Sequence, residues 1–319
     1  MPLVESHYHP PKFLFNRHLE TIYPAILRKI KPGIFIPTEI NTPDDDFLQF
    51  DWYRENPGDK VVIISHGLEG NSSKPYVRGM ANAFVNNGWD AIAWNYRGCG
   101  SKINNQIYYY HSGATYDLDS MVKYASKHYK KVFLVGFSLG ANLSLKYLGE
   151  QANSLVIGAC VFSAPLNLYT CSREMEKPHN FIYEKRFLRF LKLKVNLKKE
   201  LLKSSYPLNR LHKINSLYEF DDLFTAPLHG FKDAMDYYEQ NSSIYYLSKI
   251  KTPTLLINSY NDPFLTSECF PSDIAKQHEY LHFEPSVKGG HVGFSSFNKQ
   301  KIYWSEKRAL EFANGLSKE

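Results

Sequence analysis

Along the chain, short β-branched and apolar runs alternate with longer stretches of helical spacing. Seven runs predict strands at 47–53, 60–65, 90–95, 131–135, 155–163, 254–258 and 280–283. Several are apolar on both faces, the pattern of strands covered by helices on either side, and hence of a parallel sheet with crossover connections. Four stretches predict helices, at 75–87, 117–129, 142–150 and 301–316, with Pro75 and Asp117 suited to helix starts. From residue 165 to 249 the alternation stops. Aromatic and basic residues fill helix-like stretches until a β pattern resumes at Thr252-Pro253-Thr254. The predicted organisation is an α/β core in two parts, 1–164 and 250–319, with a helical lid inserted at 165–249. No repeat or low-complexity tract interrupts it.

The run 131–135 leads into Gly136-Phe137-Ser138-Leu139-Gly140 and then a helical stretch. That is the context of a G-x-S-x-G nucleophile elbow, a sharp strand-to-helix turn that lifts a serine hydroxyl above the sheet edge. Glycines are needed because neighbouring backbone crowds the turn. A serine is a weak nucleophile until a base takes its proton, and the base needs a third group to fix its tautomer. In α/β-hydrolase chains the order is serine, acid, histidine. Asp262 follows the run 254–258 just before Pro263, and His291 follows the last strand in Gly289-Gly290-His291-Val292-Gly293. Alone, Asp262 reads equally as a turn former. His278 and His282 are rivals to His291, but they fall before and within the last predicted strand. Acyl transfer also needs oxyanion donors. Leu139 N–H, after the nucleophile, is one. Leu68 N–H, in the glycine loop Ser65-His66-Gly67-Leu68-Glu69-Gly70, is the expected second. Phe137, His111, Phe187 and Phe190 are the expected substrate contacts, the two lid phenylalanines roofing an acyl pocket.

Composition narrows the classes. Of 319 residues, 43% are hydrophobic and 15% aromatic, which excludes disorder. No apolar run approaches the roughly 18 residues of a membrane span, and the first residues lack a basic and apolar leader, so a cytoplasmic protein is expected. The excess of 38 basic over 32 acidic residues leaves +6 without an arginine-aromatic cluster, which does not suit nucleic acid. Cys99, Cys160, Cys171 and Cys269 form no C-x-x-C pair and are expected to be free thiols. Arg97-Gly98-Cys99-Gly100 reads as a turn. His7 and His9 have no acidic or cysteine partners at ligand spacing, so no metal and no cofactor are expected. In the lid, 187–194 mixes apolar residues at helical spacing with cations, which suits a packed helix or, alternatively, peripheral contact with anionic lipid.

Asn16-Arg17-His18-Leu19-Glu20-Thr21, His66 to Gly70, Asn95 to Cys99, Tyr110 to Gly113, the elbow, Glu219-Phe220-Asp221-Asp222, Pro227 to Phe231, Asp262-Pro263-Phe264 and Gly289-Gly290-His291 together resemble the YheT-like branch of the α/β-hydrolase superfamily. The resemblance covers nearly the whole chain. It implies a carboxylesterase-type activity on a small-molecule acyl ester, with the triad on Ser138, Asp262 and His291. Transfer of the acyl group to an alcohol is the alternative within the class, and a non-catalytic binding module on the same fold is the alternative outside it.

Overall fold

The computed structural model describes residues 3–317 apart from 56–57, 152 and 204–205. Eight strands form one sheet: β1 (Ile36–Asn41), β2 (Phe47–Tyr53), β3 (Lys60–Ser65), β4 (Asp90–Asn95), β5 (Lys131–Phe137), β6 (Val156–Phe162), β7 (Thr254–Ser259) and β8 (Leu281–Ser286). Their order is β1-β2-β4-β3-β5-β6-β7-β8. β2 runs antiparallel to both neighbours, and every pairing from β4 to β8 is parallel. Parallel neighbours need crossovers, here α2 (Pro75–Val85), α3 (Thr115–Ser126) and α4 (Leu139–Glu150).

The two-residue period of β3 assigns its side chains to two cores. Val61 and Ile63 pack with Leu118, Met121 and Leu143 of α3 and α4. Val62 and Ile64 pack with Met80 and Phe84 of α2 and with Ala309 and Ala313 of the last helix, Trp304–Leu316. Both faces of the sheet are therefore covered, and the loops at the carboxyl ends of β3, β5, β7 and β8 are left to build a site at one edge.

Between β6 and β7 the described residues are helical and irregular. They include α5 (Leu168–Met175), α6 (Phe181–Leu197) and a helix at Ala234–Asn241. Leu188, Leu191 and Val195 of α6 share one helix face and meet Phe220, Phe224 and Phe264 in a separate apolar cluster. Phe181, Ile182, Phe190, Leu193 and Leu197 of the same helix are exposed.

β1, α1 and the short helix Ser272–Lys276 between β7 and β8 were absent from the sequence reading. β1 is an edge strand whose side chains are half or fully exposed, so it carries no apolar run. α1 (Arg17–Ile26) contains Pro24, a residue that argues against helix, although Asn16 caps it by accepting from the His18 and Leu19 N–H groups. Boundaries also moved. β5 extends to Phe137, which pairs with Phe162. α4 begins at Leu139 directly after the serine, and the last helix begins at Trp304, where Tyr303 and Glu306 form a capping box. All four cysteines are buried and unpaired, with the Sγ atoms of Cys171 and Cys269 3.4 Å apart. No helix among the described residues is long and apolar enough to cross a membrane.

Candidate active site

Ser138 stands between β5 and α4 with φ 54° and ψ −118°, a conformation disfavoured for any residue with a Cβ. Its N–H donates to Phe162 O at 2.9 Å, and its carbonyl accepts from the N–H groups of Ala141 (2.9 Å) and Asn142 (3.1 Å). The turn is therefore held by sheet and helix together. A Cβ on Gly140 would run into the carbonyl oxygens of Ser65 and His66, so glycine is required for α4 to sit against the end of β3.

Ser138 Oγ lies 2.8 Å from His291 Nε2, and His291 Nδ1 lies 2.8 Å from Asp262 Oδ2. A carboxylate only accepts, so Nδ1–H donates to Asp262 and Nε2 is free to accept from the serine hydroxyl. The Asp262 side chain is fully buried, and its other oxygen accepts from Phe264 N–H at 2.9 Å. The His291 ring packs on Phe264 with centroids 4.2 Å apart. The three residues singled out in the sequence thus form one continuous hydrogen-bonded chain.

The histidine loop is fastened from outside the expected set. Glu20 of α1, buried to 1% exposure, accepts from Gly289 N–H and from the Asn261 side-chain amide (3.2 Å to each oxygen). Asn261 Oδ1 accepts from Gly290 N–H at 3.0 Å, and Thr21 Oγ1 accepts from His291 N–H at 2.9 Å. Ser163 Oγ accepts from Val292 N–H at 2.9 Å. Gly290 has φ +56°, and a Cβ there would meet the Glu20 Cβ at 2.8 Å. Sequence reasoning missed Glu20, Thr21, Asn261 and Ser163. The segment Asn16 to Thr21 was visible only as a resemblance, and nothing local ties a helix near residue 20 to a loop near residue 290.

The loop after β3 is equally fixed. His66 is fully buried; its Nδ1–H donates to Gly67 O (2.8 Å), its Nε2 accepts from Tyr96 N–H (3.3 Å), and burial pulls its pKa down to about 3. Gly67 N–H donates to Tyr76 Oη and Glu69 N–H to Tyr110 Oη, both at 3.0 Å. Among the described residues, the N–H groups of Leu68 and Leu139 have no acceptor in the protein. Glu69 is paired with Lys194 of α6 at 2.7 Å, and Lys194 also donates to the Cys99 thiol at 2.9 Å. Burial pushes that thiol up to about 11, in keeping with the turn reading of Arg97 to Gly100.

Two cavities meet at Ser138 and His291, sharing Leu68, Phe187 and Phe264. The first runs beneath α5 and α6, past Leu139, Leu168, Met175, Leu191 and His111. The second opens between α1 and α6, past Ile22, Ile26, Lys74, Arg186 and Phe190. His111 lines the first cavity, Phe187 both, and Phe190 only the second, away from the pocket beneath α5 and α6. Phe137 lines neither: its side chain is on the opposite face, stacked on Phe162 (5.4 Å) and edge-on to Tyr76 (4.8 Å), because strand alternation turns it into the core.

The family model described as serine aminopeptidase, S33 (Hydrolase_4) matches residues 56–269. A protein of Escherichia coli strain K12 named "Putative esterase YheT" is 34% identical over 89% of this chain and 86% of its own. The human protein named monoacylglycerol lipase ABHD2 is 29% identical over 99% of this chain and 81% of its own. Among solved structures, the Pyrococcus furiosus esterase Pf2001 superposes with a TM-score of 0.60 at 18% identity, covering 91% of this chain and 96% of that one, a likeness of fold. On these matches, and on the sheet order and elbow described above, the chain belongs to the Hydrolase_4 family of the α/β-hydrolase superfamily, in its YheT-like branch.

Proposed function

We propose that this protein is a serine carboxylesterase acting on acyl esters through an acyl-serine intermediate. The observation that carries the reading is the chain Asp262–His291–Ser138, with 2.8 Å at each link, at the junction of two cavities. Ser138 Oγ attacks the ester carbonyl carbon as its proton passes to His291 Nε2, and Asp262 holds the imidazolium that forms. The carbonyl oxygen becomes an oxyanion facing the free N–H groups of Leu68 and Leu139. Collapse breaks the carbon–oxygen bond, and His291 returns its proton to the departing alcohol. A water molecule, deprotonated by His291, then attacks the acyl-serine; the carboxylic acid leaves and Ser138 recovers its proton. The first cavity, apolar along α5 and α6, takes the acyl chain with the segment 165–249 as its lid; the second lets the alcohol leave. The names borne by the Escherichia coli and human relatives support ester hydrolysis.

The test is a chain-length series of p-nitrophenyl esters with the native chain and Ser138→Ala, alongside fluorophosphonate labelling. We expect labelling at Ser138 and a loss of about three to six powers of ten in kcat for the variant, with unchanged melting. Retention of a few per cent of kcat in the variant would place the nucleophile elsewhere. Absence of both labelling and turnover in the native chain would favour a binding module.

A further inference from the structure

The first cavity is not a plain hydrocarbon slot. Tyr109, Asp221, Thr225 and Tyr237 lie in the same wall as Leu168, Met175, Leu191 and Leu217. Tyr109 is 1% exposed, and its hydroxyl has no well-formed hydrogen bond among the described residues: the Thr225 side chain is its nearest polar partner, and the Asp221 carboxyl lies beside both. A buried hydroxyl left unpaired costs about as much as a lost hydrogen bond and calls for a partner. Asp221 accepts from Tyr238 Oη at 2.7 Å, and no lysine or arginine among the described residues pairs with it. Its carboxyl group has lone pairs to spare. The Tyr237 hydroxyl, unlike that of Tyr109, is anchored, accepting from Ser112 N–H at 3.0 Å. The wall therefore presents one phenolic hydroxyl without a well-formed bond and one carboxyl acceptor side by side within apolar surroundings. A polyol would leave most of its hydroxyl groups against leucine and methionine. A hydrocarbon chain carrying a single hydroxyl would meet both.

Resting on the esterase reading above, we propose that the preferred acyl group is a hydroxyacyl chain, whose hydroxyl accepts from Tyr109 Oη and donates to the Asp221 carboxyl group. A site with a buried polar group discriminates against the analogue that leaves it unpaired, so the selectivity is carried by the missing hydroxyl rather than by chain length.

The experiment measures Kd by calorimetry on the full chain bearing Ser138→Ala, which binds esters without turning them over. The ligands are ethyl decanoate, its 3-, 6-, 8- and 10-hydroxy derivatives, and 1-monodecanoylglycerol. We expect at least one hydroxy derivative to bind tenfold or more tightly than ethyl decanoate, and added Tyr109→Phe to bring that ratio below two. Deleting a hydroxyl without a well-formed hydrogen bond costs little, so this variant folds; Asp221→Asn is the second arm and is expected to lower the ratio as well. Ratios below two at every position, or a ratio untouched by Tyr109→Phe, overturn the proposal. So does a preference confined to monodecanoylglycerol and lost in Tyr109→Phe, which moves the recognised hydroxyl to the alcohol side. Selective binding with no hydrolysis of any of these esters by the native chain sustains the recognition site and refutes the esterase reading instead.

Discussion

Glu20→Gln tests whether α1 positions the histidine. The carboxylate accepts from Gly289 N–H and from the Asn261 amide on both oxygens. The glutamine carbonyl can keep the Gly289 bond, but its NH2 then faces the Asn261 NH2, donor to donor. Asn261 cannot flip to relieve this, because its Oδ1 already accepts from Gly290 N–H. The loss of one hydrogen bond to a charged group at a buried site amounts to roughly 2–3 kcal/mol. At about 1.4 kcal/mol per tenfold, that lowers the population of the aligned loop by up to about a hundredfold. We expect kcat for a p-nitrophenyl ester to fall ten- to a hundredfold while KM stays within about threefold, since Glu20 lines neither cavity. Fluorophosphonate labelling of Ser138 should slow in parallel. Glu20→Asp, which keeps the charge on a shorter arm, should recover part of kcat. A kcat within twofold of the native value in folded Glu20→Gln, or a loss appearing only in KM, would refute the positioning argument.

Two further predictions concern buried charge. Burial raises the Asp221 carboxyl from 3.8 to about 6, so the folded state holds a proton that the unfolded chain has released, and stability falls as pH rises from about 4 to 6, by about 3 kcal/mol in all. Asp221→Asn, facing the neutral Tyr109, Tyr237 and Tyr238, removes that slope; a difference from the native chain in urea unfolding that stays constant across this window would show that Asp221 is not the titrating group. Arg97, 1% exposed at its side chain, holds Asp117 (2.7 Å), Asp46 (3.0 Å) and Asp44 (2.6 Å) at the end of β4; Arg97→Met leaves these carboxylates facing one another and should cost about 3–5 kcal/mol in denaturant unfolding at pH 7, and a loss below about 1 kcal/mol would contradict it.

What the sequence disclosed follows from how local each signal was. Strands β3, β4 and β5 are apolar on both faces and flanked by turn residues, so their existence was legible in short windows, as was the elbow, whose glycines serve contacts within a few residues. Ser138, Asp262 and His291 could be ordered because each follows a recognisable strand. The edge strand β1 carries exposed polar residues at alternate positions, and α1 contains a proline, so both were silent. Glu20, Thr21, Asn261 and Ser163 matter through bonds to residues far along the chain, for which a single sequence offers no periodic signature. Phe137 was expected among the substrate contacts, whereas alternation along β5 sends successive side chains to opposite faces. That Asp221 would share a cavity wall with the Tyr109 hydroxyl depended on how the segment 165–249 folds back on the core.

Backbone strain is distributed in a way that bears on the same loops. Among the described residues, seven other than glycine have positive φ, and Glu69, Ser138, Ser163, Val292 and Phe294 all belong to the loops around the candidate site. At roughly 1–3 kcal/mol each, their combined cost is comparable to the roughly 5–15 kcal/mol by which a folded domain is stable. Such conformations persist only where surrounding bonds over-determine them. Ser138 N–H is bonded to Phe162 O and Ser163 N–H to Ile257 O, each extending a sheet ladder one step past the strand. Val292 N–H is held by Ser163 Oγ, and Glu69 N–H by Tyr110 Oη. For Ser138, Ser163, Val292 or Glu69 to relax, it would have to give up a hydrogen bond to a neighbouring strand or loop. The strain therefore remains at the sheet edge, where it keeps the serine raised and the histidine turned toward it, while packing of the two cores below supplies the stability that offsets it.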